Sequence, residues 1–86
     1  MALHGDVDLA VADQVRDALE KQVATGKSVL VDCTGIAFID SRGLSALICA
    51  RRAANQASVG FQLLGVSEPM RRAMRAAGID DLFALV

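Results

Sequence analysis

The residue with the clearest capacity for chemistry is Ser41, in the sequence Asp40-Ser41-Arg42-Gly43. A buried-type apolar run ends shortly before it, and a helical pattern begins at Asp40. A serine hydroxyl at a helix start can cap the helix, which is worth ~1 kcal/mol, or it can accept a phosphoryl group from a kinase. A phosphate would add about −1.5 to −2 charge, and the free N–H groups of the helix would hold it. From these residues alone, capping and a phosphorylation switch both remain open.

Gly43 lies in the first turn of the same predicted helix, where glycine costs up to ~1 kcal/mol relative to alanine. Because glycine has no side chain, it would let another surface approach the backbone and Ser41 closely. Asp40 and Ser41 together are also more than one cap requires. These features favour a docking surface at the start of the helix.

Other reactive arrangements are poorly supported. A hydrolase nucleophile elbow needs glycine two residues before its serine, and Ile39 occupies that position. His4 is the only histidine and lies in a segment that is predicted to fray. Cys33 and Cys49 lie in apolar runs without a CxxC pattern, which indicates buried free thiols, with a redox pair left open. We therefore expect a binding protein without catalytic activity, cofactor or metal site.

The composition indicates one small folded domain, because 53% of the 86 residues are hydrophobic. Only three residues are aromatic, all phenylalanine, so there are few platforms on which single-stranded nucleic acid could stack. Residues 1–40 hold seven acidic and three basic residues, whereas residues 41–86 hold three and six. This uneven distribution of charge fits ordinary solvated helix faces or a docking surface.

No apolar run approaches the ~20 residues of a membrane helix and no signal peptide is evident, so we expect a cytoplasmic protein.

The elements that would position Ser41 alternate between helical and strand-like patterns, which is typical of β-α-β units. A helix is predicted over residues 8–25, with Asp8 as N-cap and Gly26 as the C-terminal stop. Residues 28–33 form a continuous apolar run that is typical of a strand buried on both faces.

The rest of the chain continues the alternation. Residues 34–39 are predicted to form a short loop, and a second helix follows over residues 40 to about 57. A strand over residues 61–66 leads into a third helix between residues 67 and 78. The apolar residues 82–86 fit either a short strand or a helical turn. In such sheets the crevice at the carboxyl ends of the strands is where function collects.

Three segments resemble the STAS domain family, named for sulfate transporters and anti-sigma factor antagonists. Leu-His-Gly-Asp-Val-Asp at residues 3–8 resembles the family element that precedes the first helix. Val-Asp-Cys-Thr-Gly-Ile-Ala-Phe-Ile-Asp-Ser-Arg-Gly-Leu at residues 31–44 resembles its central strand, loop and Asp-Ser-x-Gly switch. Residues 61–66 and 70–79 are similar to its last strand and helix. The resemblance implies one α/β domain over residues 1–86, with a mostly parallel or mixed sheet and flanking helices.

The match is close to the bacterial anti-sigma factor antagonists, which implies a function. In phosphorylatable members, an anti-sigma factor that is itself a Ser kinase with a GHKL-type ATP site modifies the serine that corresponds to Ser41. The unmodified antagonist binds the anti-sigma factor and frees a sigma factor. The phosphorylated form dissociates from the anti-sigma factor, and a metal-dependent protein phosphatase removes the phosphate. ATP and Mg²⁺ would belong to the partner. The implied partner contacts are Asp40, Ser41, Arg42 and Gly43 at the switch, with weaker contacts from Asp6 and Asp8.

One departure from the family concerns the start of the sheet. The family normally has a further strand before the element at residues 3–8, and this chain begins too late to encode it. Either the start is truncated, or the sheet lacks this strand, or another chain fills the gap. An uncovered strand edge invites pairing, and the hypothesis is self-association as a homodimer through that edge. An alternative function within the family is a STAS subunit that regulates an ABC transporter ATPase or a stress-signalling assembly. Ser41 and the stand-alone length favour the sigma pathway.

Overall fold

The computed structural model describes residues 1–86 and contains one four-stranded sheet and three helices. The elements in chain order are β1 (Ala2–Val7), α1 (Ala12–Ala24), β2 (Val29–Ile39), α2 (Ser41–Gln56), β3 (Phe61–Leu64), α3 (Glu68–Ala76) and β4 (Ala84–Leu85). All strands are parallel and lie in the order β1-β2-β3-β4, so each connection carries one helix. The predicted α/β class is confirmed. None of the helices has the length and apolar character that crossing a membrane requires.

The helices cover one face of the sheet, and a single aliphatic core lies between the two layers. Along β2, Val31 and Cys33 are fully buried in this core, whereas Leu30 is 43% exposed on the opposite face. Leu64 of β3 is likewise exposed. The prediction that β2 is buried on both faces was therefore wrong, because the second face of the sheet has no covering helix.

The prediction of a loop over residues 34–39 was also wrong, because β2 runs without interruption to Ile39. The segment stays extended because β1 pairs with it, as in the register pair of Val7 with Ile39. His4, which was expected to fray, lies within β1. The periodicity of β1 is hidden in the sequence because Gly5 has a φ of +74° and the register shifts next to it.

Helix α1 begins later than predicted. Asp8 is not its N-cap, since the Asp8 Oδ1 accepts a hydrogen bond from the backbone N–H of Ala10 at 3.0 Å, in a turn before the helix. Val11 occupies the N-cap position without a side-chain hydrogen bond, and the helix starts at Ala12. The predicted stop at Gly26 is confirmed by its φ of +77° just after the helix.

Helix α3 follows its predicted boundaries. The backbone N–H of Met70 donates to the hydroxyl of Ser67, which is the N-cap. Gly78 has a φ of +71°, and the N–H of Ile79 donates to the carbonyl of Met74 at 3.0 Å, which together form a Schellman motif. The final segment contains the short strand β4, so the strand alternative is correct.

Candidate functional site

Ser41 lies at the rim formed by the carboxyl ends of β1 and β2. These strands end at Val7 and Ile39, which are register partners. The backbone N–H of Asp40 donates to the carbonyl of Val7 at 3.3 Å, so the chain turns directly from the sheet into α2. Ser41 is the first residue of this helix and is exposed. The rim is therefore the place where parallel α/β folds build their sites.

Asp40 caps α2 and also anchors the neighbouring loop. Its Oδ1 accepts a hydrogen bond from the N–H of Gly43 at 2.9 Å, and its Oδ2 accepts one from the N–H of Leu9 at 3.0 Å. Both oxygens of the carboxylate are thus used within the chain. Because Asp40 supplies the cap, the hydroxyl of Ser41 is left without a hydrogen-bond partner in the chain.

Gly43 is buried against the rim of the same chain. A Cβ atom at this position would collide with the carbonyl oxygen of Val7 and lie 2.8 Å from Cγ1 of Ile39. The predicted reason for this glycine, room for a second surface, was therefore wrong. Its physical role is to let the first turn of α2 lie directly on the ends of β1 and β2.

The other predicted site residues are spread along the rim. Arg42 is exposed in the first turn of α2. Asp6 is exposed in β1, in register with Phe38. Asp8 is half-buried, and its side chain is engaged in the turn before α1. The structure thus joins the Asp8 loop to the start of α2 through Asp40, and it places Asp6 on the neighbouring strand.

Sequence reasoning missed Leu9 as part of this site. Leu9 is 66% exposed although it is large and apolar, and its backbone N–H donates to Asp40. Phe38, two residues before Asp40, is 51% exposed. The signal for Leu9 was present in the sequence, because Leu9 lies off the apolar stripe of α1 that begins at Val11.

Two pKa shifts lie in the middle of β2 rather than at the rim. The pKa of Asp32 is lowered because the backbone N–H and the hydroxyl of Thr34 both donate to its carboxylate. Burial raises the pKa of the Cys33 thiol to about 11, with a further contribution from the charge of Asp32.

Cys33 and Cys49 are both free thiols; Cys33 is buried as predicted, and Cys49 is half-buried. No group of three or more His, Cys, Asp or Glu side chains is placed to hold a metal ion.

The rim therefore presents a free hydroxyl at the start of α2. The exposed first residue of α2 combines an unused O–H with the positive end of a 16-residue helix. Such a position suits an acceptor of a phosphoryl group that another protein transfers.

Comparisons with known proteins show to which family this chain belongs. A family model described as "Mlab, STAS domain" matches residues 1–86. The proteins named "Anti-sigma-B factor antagonist" from Listeria monocytogenes serovar 1/2a and from Listeria innocua serovar 6a are each 29% identical to this chain over 82 residues, which are 94% of this chain and 72% of theirs. The solved structure of the anti-sigma factor antagonist SpoIIAA in its unphosphorylated form matches with a TM-score of 0.78 at 17% identity, over 99% of this chain and 76% of that one. The fold is therefore shared with SpoIIAA, and the chain belongs to the STAS domain family.

Proposed function

We propose that this chain is an anti-sigma factor antagonist whose binding is switched off by phosphorylation of Ser41. In this proposal, the unmodified chain binds an anti-sigma factor that is also a Ser kinase and thereby releases a sigma factor. The observation that carries the proposal is the free, exposed hydroxyl of Ser41 at the first position of α2, beside a cap that Asp40 already supplies. The relatives named anti-sigma-B factor antagonist support the same function.

The geometry explains how a phosphate could act without unfolding the domain. The hydroxyl of Ser41 contributes no hydrogen bond to the fold, and the residue is exposed. The dipole and free N–H groups of α2 favour an anion at this end, whereas the carboxylate of Asp40 adds like charge beside it. The added charge therefore lies at the surface, where it repels a bound partner.

The residues of the rim divide into contacting and positioning roles. Ser41 and Arg42 are exposed and are the proposed direct contacts, with weaker contacts from Asp6 and Asp8. Asp40 positions the helix start, and buried Gly43 lets it lie close to the sheet. The chain itself acts only by binding, in the cytoplasm. ATP and Mg²⁺ come with the kinase, and a protein phosphatase reverses the modification.

Ser41 variants test this function with the candidate anti-sigma factor kinases of the source bacterium. Wild-type chain incubated with kinase and ATP–Mg²⁺ should gain phosphate at Ser41, as located by mass spectrometry, and the Ser41→Ala variant should gain none. In calorimetry, Ser41→Ala should bind like the wild type, whereas Ser41→Glu should bind at least ~10-fold more weakly, as expected for an introduced repulsive charge. The circular dichroism of all variants should be unchanged.

Ser28→Glu provides the matched control, because Ser28 is exposed just before β2, at the opposite end of that strand from Ser41. This variant carries the same added charge and should bind like the wild type. Equal binding by Ser41→Glu and Ser28→Glu would refute the switch. Phosphate absent from Ser41, together with tight binding to an ABC transporter ATPase, would support the transporter alternative instead.

A further inference from the structure

A groove of about 130 Å³ lies between the start of α1 and the first turns of α2. Its apolar part includes the exposed side chain of Leu9 and the buried alanines Ala12 and Ala46. Its polar part consists of Asp13, Arg16, Arg42 and Ser45. An apolar groove with an unpaired cation at one side can bind a short segment that combines an apolar and an acidic side chain.

The two arginines of the groove differ in their charge environment. The guanidinium of Arg16 lies 3.7 Å from Asp13, 3.7 Å from Asp17 and 3.9 Å from Glu20, so the three carboxylates of α1 more than offset its charge. Arg42 has no carboxylate within 4.0 Å. Arg42 is therefore the uncompensated charge of the groove.

The apolar border of the groove is held in place before any partner arrives. The N–H of Leu9 donates to Asp40 Oδ2 at 3.0 Å. The following N–H groups, those of Ala10 and Val11, donate to the side chain and the carbonyl of Asp8 at 3.0 and 3.1 Å. A preorganised loop loses little conformational entropy on binding, so the exposed Leu9 side chain is suited to contact a partner.

Resting on the function proposed above, we infer that this groove receives a segment of the anti-sigma factor that presents a carboxylate to Arg42 and an apolar side chain to Leu9. Charge complementarity selects the carboxylate, since Arg42 is the one free cation beside the apolar surface. The inference also accounts for the direction of the switch. A phosphate on the adjacent Ser41 lies within about one Debye length of Arg42, ~8 Å at physiological salt, and repels the carboxylate that Arg42 attracts.

Charge variants of Arg42 test the acidic contact. With unphosphorylated chain and purified anti-sigma factor, Arg42→Gln should weaken binding ~10-fold and Arg42→Glu more strongly, because an interfacial charge partner is removed or reversed. The affinity of Arg42→Gln should also depend less on salt. Arg52→Gln is the matched control, because Arg52 is exposed further along α2, is not part of the groove and should bind like the wild type. Unchanged binding by Arg42→Gln would overturn the inference.

Cys49 allows a direct footprint of the groove. It is half-buried and lines the groove, whereas Cys33 is fully buried in the core. Maleimide should therefore label the folded chain at Cys49, and the label should be lost in Cys49→Ser. Saturating anti-sigma factor should slow the labelling several-fold. A labelling rate that the bound partner leaves unchanged would show that the partner docks elsewhere.

A double-mutant cycle separates this inference from the proposed function. If phosphate acts on the carboxylate that Arg42 holds, Ser41→Glu should weaken binding less in the Arg42→Gln background than in the wild type. If the two effects are additive, the groove inference fails while the Ser41 switch stands. If Ser41→Glu in the otherwise wild-type chain leaves binding unchanged, both the proposed function and the groove inference fail.

Discussion

Asp40 organises the rim because each of its carboxylate oxygens holds a different segment. One oxygen caps α2 through Gly43, and the other holds Leu9 at the end of the β1–α1 connection. The hydroxyl of Ser41 is therefore not the cap of α2, a role that the sequence alone left open. Because Asp40 supplies the cap, a modification of the Ser41 hydroxyl removes no hydrogen bond from the fold.

Replacing Asp40 should therefore cost stability through two lost hydrogen bonds. Asp40→Ala should lower the free energy of unfolding by about 1–2 kcal/mol. Asp40→Asn should cost less, since its single carbonyl oxygen still accepts one of the two N–H groups. Urea unfolding measures both values. Asp6→Ala is the control, because Asp6 is exposed and makes no side-chain hydrogen bond, and a loss as large as that of Asp40→Ala would contradict the two-bond account.

The buried thiol of Cys33 should make stability decrease at alkaline pH. Burial raises its pKa from an ordinary value near 9 to about 11 in the folded chain. Between these values the unfolded chain binds fewer protons than the folded chain, so the stabilising contribution is complete below pH ~9 and is lost as the pH rises toward 11. Urea unfolding across this range should show the decrease. Cys33→Ala, although less stable overall, should show a smaller pH dependence, and an identical slope would exclude Cys33 as its source.

At the level of elements, the sequence predicted best where local signals coincide. Helix α3 has a serine cap at one end and a glycine stop at the other, and both were found in place. Helix α2 was placed correctly from the apolar spacing that follows Asp40. The start of α1 was misplaced because Asp8, a residue type that commonly caps helices, instead forms a turn with Ala10.

The errors in predicting the extent and burial of β2 have a different physical origin. They depend on which strand pairs with β2 and on which face of the sheet the helices cover. Residues 34–39 contain Thr-Gly, a combination that normally ends a strand, yet β1 holds them in the sheet. Leu30 looks like a core residue because nothing in a single sequence tells which face of a sheet a helix covers. At the site, the local pattern predicted Ser41 at an exposed helix start, and the structure places it there. The contact of Gly43 with Val7 needed the tertiary structure.

The close fit of α2 on the rim makes Gly43 sensitive to the smallest addition. Gly43→Ala would gain up to ~1 kcal/mol in helix propensity, but its Cβ would collide with the backbone of Val7. Overpacking against backbone should dominate and destabilise the chain by ~1–3 kcal/mol. Thermal unfolding tests the sign. Ser45→Ala, at an exposed position in the same helix, should be neutral or slightly stabilising; a Gly43→Ala variant that is equally stable would contradict the fit.

At the scale of the whole molecule, the two edge strands of the sheet differ in length. β4 at one edge has only two residues, whereas β1 at the other edge has six. The β1 edge therefore remains the proposed site of self-association. The irregularity at Gly5 limits how long a regular ladder could be.

Sedimentation velocity over a wide range of concentrations should detect a reversible homodimer. Ala2→Lys, which places a charge at an exposed position of β1, should weaken it, because edge lysines oppose strand pairing. Lys in place of the exposed Gln56, at the end of α2, should leave it unchanged. A chain that stays monomeric throughout would refute self-association through this edge.

The register of β1 with β2 joins parts of the chain about thirty residues apart, such as Ala2 with Asp32. Contacts of such long sequence separation form slowly during folding. The loop that carries Leu9 follows β1, and the Leu9 N–H donates to Asp40 at the start of α2. Under the proposed function, a kinase that contacts both Leu9 and Ser41 would bind only chains in which β1 has already taken its place in the sheet.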